Sequence, residues 1–306
     1  MNKIYLALGL VFISSMLNAG KVTPCAMYSL EDTLVTPNAV PGRVSSNGLY
    51  FIGGFSNENG EELLYLWKRS TLDAAWSEPI LLKGEINELT DSSGNMQPTI
   101  SDDGLVIIFV RNPGSGWEGN DLWIATRASV YEAFGDVRSL DELNTDDAEA
   151  YPWLSANGSR VYYTANDMIL VAEYDAKAKK FGNVKEVVLD GIESPISCWL
   201  SPDEKTILVT DGYSLYRSER KSTTKSFGKP EEVALEFPDN EDGFFSSPSL
   251  DPKGDLYVYI SVQMASQEEP EYYQEEDYDV EYEEYPESYE TVTVQAILRF
   301  LCQRGK

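Results

Sequence analysis

The sequence predicts an all-β fold made of short antiparallel sheets, on three observations. A short pattern recurs five times along the 306 residues: an apolar residue, Ser, any residue, Asp or Asn, Gly, then an aliphatic and aromatic run. Further short runs of strand-forming residues follow each copy. A long amphipathic helix is nowhere visible.

The copies fall in order along the chain. Val44-Ser45-Ser46-Asn47-Gly48 precedes Leu49-Tyr50-Phe51-Ile52, and Ile100-Ser101-Asp102-Asp103-Gly104 precedes Val106-Ile107-Ile108-Phe109. Leu154-Ser155-Ala156-Asn157-Gly158 precedes Val161-Tyr162-Tyr163, and Leu200-Ser201-Pro202-Asp203-Glu204 precedes Ile207-Leu208-Val209. The fifth, Leu250-Asp251-Pro252-Lys253-Gly254, precedes Leu256-Tyr257-Val258-Tyr259. The fourth carries Glu204 where the pattern has Gly, and the fifth carries Asp251 where it has Ser. Spacings are 56, 54, 46 and 50 residues. Asn-Gly and Asp-Gly supply the positive φ of a tight turn, so each copy reads as a hairpin. Asn157-Gly158-Ser159 is read as this turn and not as a glycosylation site. Pro98, Pro152 and Pro248 precede three copies, as suits the first residue of a strand.

Third strands are expected at Leu64–Trp67, Asp121–Ile124, Met168–Val171 and Ser214–Arg217. An aromatic residue then opens a fourth, at Trp76–Pro79, Phe134–Val137, Phe181–Val184 and Phe227–Pro230. Four strands per repeat of about 50 residues is the sequence form of a β-propeller blade. Five hairpins imply five blades, with six as the alternative count. The fifth blade has two strands near Ser249 and Leu256–Val262, a third candidate at Val292–Phe300, and no fourth. Ala26–Val35 has no partner of its own. The expectation is that this N-terminal strand runs antiparallel to the last one, closes the ring and covers an open edge. Cys25 could then face Cys302 in a disulfide.

The units Ser201-Pro202-Asp203, Ser101-Asp102-Asp103-Gly104 and Asp121-Leu122-Trp123 resemble the TolB-like propeller repeat of exported bacterial proteins, over about residues 39–300. That repeat also occurs beside peptidoglycan-binding OmpA-type domains. The resemblance implies the fold and an envelope setting, and it fixes no binding residues.

Residues 1–19 read as a secretory signal: Lys3, then apolar Ile4–Ser14, then a cleavage site after Ala19. Residues 20–306 form one propeller domain, periplasmic or secreted, with no membrane insertion after cleavage. Cys198, the third cysteine, lies in the apolar run Ile196–Leu200 and reads as a buried small hydrophobe.

Composition narrows the function. With 51 Asp+Glu against 24 Lys+Arg, the net charge is −27, and there is no histidine. That excludes histidine-dependent catalysis and His-ligated zinc, and disfavours a nucleic-acid backbone as partner. Residues 268–290 hold twelve acids, six tyrosines and no Lys or Arg. They form an acidic insertion between the second and third strands of the last blade, with the character of a disordered segment.

In a four-stranded blade, the strand 2–3 loops and the blade-to-blade loops share one face. The blade-to-blade loops carry Asp91, Asp146, Asp147, Glu149, Asp190, Glu193, Asp239, Glu241 and Asp242, and the insertion adds Glu275, Glu276 and Asp277. The reading is a non-catalytic, monomeric binding module that meets a protein or cationic ligand of the cell envelope through this face. Trp117 in a Gly-rich loop is the candidate aromatic anchor, with Trp153 and Phe245 weighed beside it. A carboxylate-dependent glycoside hydrolase is the enzymatic alternative, although the inner strands carry no acid. A calcium-stabilised module is another; its carboxylates match no EF-hand spacing, and no other cofactor is expected.

Overall fold

The computed structural model describes residues 24–25, 27–35, 39–57, 61–88, 94–112, 119–236, 243–265 and 291–303. The chain begins with β1 (Met27–Val35), followed by β2 (Ala39–Val44), β3 (Tyr50–Ser56), β4 (Glu62–Lys68) and β5 (Ile80–Leu81). The next set is β6 (Gly94–Ile100), β7 (Val106–Asn112), β8 (Asp121–Thr126) and β9 (Gly135–Ser139). Then come β10 (Ala150–Leu154), β11 (Arg160–Ala165), β12 (Met168–Asp175) and β13 (Lys180–Glu186). After these lie β14 (Ser197–Leu200), β15 (Thr206–Thr210), β16 (Leu215–Glu219) and β17 (Glu231–Glu236). The last are β18 (Phe244–Leu250), β19 (Leu256–Ala265) and β20 (Thr291–Cys302).

Three sheets are four-stranded meanders, β2 to β5, β6 to β9 and β10 to β13. The remaining strands form one eight-stranded sheet in the order β14-β15-β16-β17-β1-β20-β19-β18. In it, β1 pairs antiparallel with β20 and parallel with β17. The innermost strands touch in sequence, β2 on β6, β6 on β10, β10 on β14 and β14 on β18, and β18 returns to β2. The chain is a β-propeller.

The recurring sequence pattern builds the same turn each time. The amide of Gly48, Gly104, Gly158, Glu204 and Gly254 donates to the carbonyl of Ser45, Ser101, Ser155, Ser201 and Asp251 respectively. All five of these donors have positive φ, from 55° to 87°. The Ser Oγ of each of the first four turns donates to the Asn or Asp two residues on, over 2.6–3.0 Å. Those carboxylates and amides are therefore turn fasteners.

The two departures from the pattern are bridges between sheets. Glu204 accepts from Arg160 Nη1 and from the Tyr162 hydroxyl, both in the β10–β13 sheet. Asp251 is fully buried and accepts from Arg69 Nη2 at 2.8 Å across the β18/β2 junction.

A second repeated device sits below each of three sheets. Arg69, Arg127 and Arg220 stack over Trp76, Phe134 and Phe227 at 4.3–4.4 Å, in each case seven residues on. The Nε of each donates to the carbonyl of the turn residue, Gly48, Gly104 or Glu204. In the third sheet Tyr174 packs edge-on to Phe181 instead. These aromatic residues mark where the chain turns back. Trp76–Pro79 and Phe227–Pro230 are not strands themselves, and β5 and β17 start just after them.

The prolines also differ from expectation. Pro98, Pro152 and Pro248 lie inside inner strands, where the ladder skips between Met96 and Thr99, Ala150 and Trp153, and Ser246 and Ser249. Gln97, Tyr151 and Ser247, just before them, hold φ of 51–52°. A bulge tolerates a residue that lacks an N–H, which is why Pro is accepted there.

Candidate partner-binding face

Antiparallel connectivity sends the Asn-Gly turns to one end of the ring. The β3–β4, β7–β8, β11–β12, β15–β16 and β19–β20 connections leave at the other, together with the sheet-to-sheet loops. That second end is tightly organised. Asn87 accepts from Leu64 N–H and donates to the carbonyls of Leu64 and Leu82. Asn144 repeats this on Leu122 in the next sheet. Both side chains fasten a loop to the third strand of its sheet.

The ring axis is crossed by one side chain. Arg43 of β2 is only 1% exposed. Its Nη1 donates to the carbonyls of Cys198 at 2.8 Å and Pro248 at 2.9 Å, and its Nη2 reaches the carbonyl of Tyr151 at 3.4 Å. One cation thus joins four inner strands. Burial lowers its pKa to about 10, opposed by the Cys198 and Tyr151 side chains, so it stays protonated at neutral pH. Inner strands are also laced to one another directly. Tyr151 N–H donates to Gln97 Oε1, Leu154 N–H to Thr99 Oγ1, Ser247 N–H to Ser197 Oγ and Val44 N–H to Ser249 Oγ.

The loop end holds a cleft of about 310 Å³ between the β10–β13 sheet, the residues that enter β14 and the start of β18. Ala148, Ala150, Ala165, Ile196 and Phe244 give it apolar walls, and Tyr151 and Asp167 also line it. The Asn166-Asp167 turn closes one side with positive φ at both residues, 49° and 58°. Asn166 Nδ2 donates to Asp147 Oδ2 at 3.0 Å, which brings Asp147 to the rim.

The acids named from sequence divide. Asp146, Asp147, Asp190 and Glu193 are exposed on this end. Glu149 is not: it is fully buried, and its carboxylate accepts from Thr145 N–H and Thr145 Oγ1. Burial raises its pKa, against those hydrogen bonds. Glu149 therefore fastens the 145–149 loop and is not part of the exposed surface. Asp91, Trp117, Asp239, Glu241, Asp242, Glu275, Glu276 and Asp277 lie outside the described residues. Trp153 and Phe245 are core residues, 2% and 7% exposed. Among the described residues, no group of three or more Cys, Asp or Glu is placed to hold a metal ion.

Sequence reasoning missed Arg43, the Tyr151–Phe244 cleft and Glu62. Arg43 carried one local clue, as the only charge in the inner strand Ala39–Val44. Glu62 opens β4 at the loop end, with its carboxylate pressed against Gly94 of the next sheet, where it would meet any added side chain. Burial alone raises Glu62 to about 7, and burial raises Asp102 to about 6 against its hydrogen bond from Asn47 N–H. In both groups the folded state binds the proton more tightly than the unfolded chain does. Their penalty is full above the folded values of about 7 and about 6 and is relieved as pH falls through them toward the ordinary values of 4.5 and 3.8, so their contribution to stability improves over that interval. Glu62→Gln should stabilise the protein at pH 8 and do so by roughly 1–3 kcal/mol less at pH 5. Urea unfolding midpoints at the two pH values check this; equal effects at both would contradict it.

The sequence matches no protein-family model and no curated protein. Similarity is found among solved structures. A TolB-designated protein of Agrobacterium tumefaciens is 14% identical, with a TM-score of 0.46 over 76% of each chain. The periplasmic gluconolactonase of Pseudomonas aeruginosa is 10% identical, with a TM-score of 0.43 over 77% of this chain and 70% of that one. An exo-β-1,3-galactanase of Clostridium thermocellum is 11% identical, with a TM-score of 0.49 over 80% of this chain and 56% of that one. No helix among the described residues is long and apolar enough to cross a membrane.

Proposed function

We propose that the chain is an exported, non-catalytic five-bladed propeller, its ring closed by β1, that binds a protein partner of the cell envelope through its acidic loop end. One observation supports this above the others. Arg43 bridges the inner strands and is held by three carbonyls, which favours a ligand met at an end of the ring over one held within it, and the acidic loop end is the one we propose. Among the described residues the charge exposed there is mostly negative, at Asp146, Asp147, Asp190 and Glu193, with Lys83 on the β5–β6 loop as a cation. Such a surface steers and orients basic partners, and the attraction weakens with salt.

The test is capture from a cell-envelope extract by three forms of the protein: intact, lacking residues 268–290, and carrying Asp146→Asn, Asp147→Asn and Glu193→Gln together. The intact protein should retain a partner that high salt releases, and the neutralised form should lose most of it. Undiminished capture by the neutralised form would reject the acidic end as the binding surface. The deletion separates the contribution of the tyrosine-rich insertion from that of the loops.

A further inference from the structure

The cleft at the loop end allows the partner's chemistry to be specified, on the assumption that this end is the binding surface. At about 310 Å³ it lies at the small end of ligand pockets, which run to about 300–1,000 Å³. Its walls are apolar and set by backbone geometry. Tyr151 sits on a bulge, Asn166-Asp167 form a tight hairpin turn, and Phe244 packs on Gly212, where a Cβ would come within 3.0 Å of the ring. The shape is therefore preformed.

The segments that form its rim carry charge of one sign, with the buried Arg43 held on the carbonyl of Tyr151 beneath. The segments that build and border it are 145–151, 164–167, 190–196 and 211–214. Together they contain Asp146, Asp147, Glu149, Asp167, Asp190, Glu193 and Asp211, and no Lys or Arg. Asp147 is tied to the rim through Asn166, Asp167 lines the cleft, and the Asp211–Ser214 turn backs the Phe244 and Ile196 wall. Tyr213 on that turn is 75% exposed.

We propose that this cleft receives one apolar side chain of a protein partner, and that basic residues flanking it in the partner's chain pair with Asp147 and Asp167. An apolar anchor in a preformed pocket gives affinity, and the acidic rim gives selectivity and rate. An acidic segment is repelled by the same rim, so the tyrosine-rich insertion of this chain is the disfavoured occupant.

The probe is the peptide acetyl-Gly-Lys-Leu-Lys-Gly-amide, titrated into the full-length protein while amide resonances are followed. Saturable shifts are expected at Ala148, Ala165, Asp167 and Ile196 below about 10 mM peptide. The Glu-Leu-Glu and Lys-Gly-Lys analogues should bind at least about 10-fold more weakly. Ala148→Phe, which fills the cleft from a partly exposed loop position, should abolish the shifts. Asp147→Asn with Asp167→Asn, at exposed positions, should weaken the Lys-Leu-Lys peptide alone. No saturable shift, equal binding of the three peptides, or binding unaffected by Ala148→Phe would each overturn the proposal. Partner capture that survives Ala148→Phe would reject the cleft and leave the loop end standing; peptide binding without any captured partner would reject the envelope-binding function instead.

Discussion

Replacing Arg43 with Ala will destabilise the propeller by about 2–4 kcal/mol, read as a lower urea midpoint at pH 7. Two opposed effects set that figure. The guanidinium is buried without a carboxylate, and its desolvation is costly, as its lowered pKa shows. Against this, it supplies three hydrogen bonds to carbonyls contributed by three different inner strands. Removing it leaves those acceptors enclosed at the axis, each costing about 1–3 kcal/mol if no water reaches it, and opens a cavity. The loss should outweigh the relief. Arg43→Met keeps most of the volume and none of the donors, so it separates packing from hydrogen bonding. It should still cost about 1–3 kcal/mol. A methionine variant as stable as the parent would show that the carbonyls need no partner, and would remove Arg43 as the strut of the ring.

Reducing the disulfide will lower the melting temperature by roughly 5–10 °C. Cys25 and Cys302 are joined with their Cα atoms 5.7 Å apart and 277 residues between them in sequence. In the chain-entropy model a loop this long is worth about 5–6 kcal/mol, because the unfolded chain gains most freedom when the link is cut. The double variant Cys25→Ser, Cys302→Ser should match the reduced protein. Thiol titration provides the control. Cys198 is buried and its thiol is raised to about 12 by burial, so it should stay unreactive until the protein unfolds. Unfolding without reductant should expose one thiol, and unfolding with reductant three. Three thiols without reductant would mean that the ends are not joined.

What the sequence made legible was local. The hairpin turns depend on a Ser, an Asx and a positive φ within five residues, and all five were readable, including those carrying Glu204 and Asp251. Third strands were readable because their aliphatic runs are short and bounded. Fourth strands slipped where the aromatic marker serves a different purpose: Trp76 and Phe227 stack beneath arginines before the strand begins. The acids of the loop end were legible as a group, yet Glu149 is turned inward by Thr145, which an acid count does not reveal. Arg43 could not be placed because its partners lie 108 to 205 residues away. The bulges at Gln97, Tyr151 and Ser247 were hidden because the following proline has two meanings, a strand's first residue or its interruption.

The position of β1 carries a kinetic order within it. Its two neighbours, β17 and β20, are made by the last third of the chain. The three four-stranded sheets can each pair within a short stretch as soon as that stretch exists, at little entropic cost. β1 has to wait, and until β17 and β20 emerge neither of its edges has the partner it pairs with in the fold. The first strand of an emerging chain thus stays without its fold partners through most of synthesis, a condition under which edge-to-edge association competes with folding. Refolding should accordingly end in a slow phase that reports docking of the first strand, and holding the ends together through the intact disulfide should shorten it.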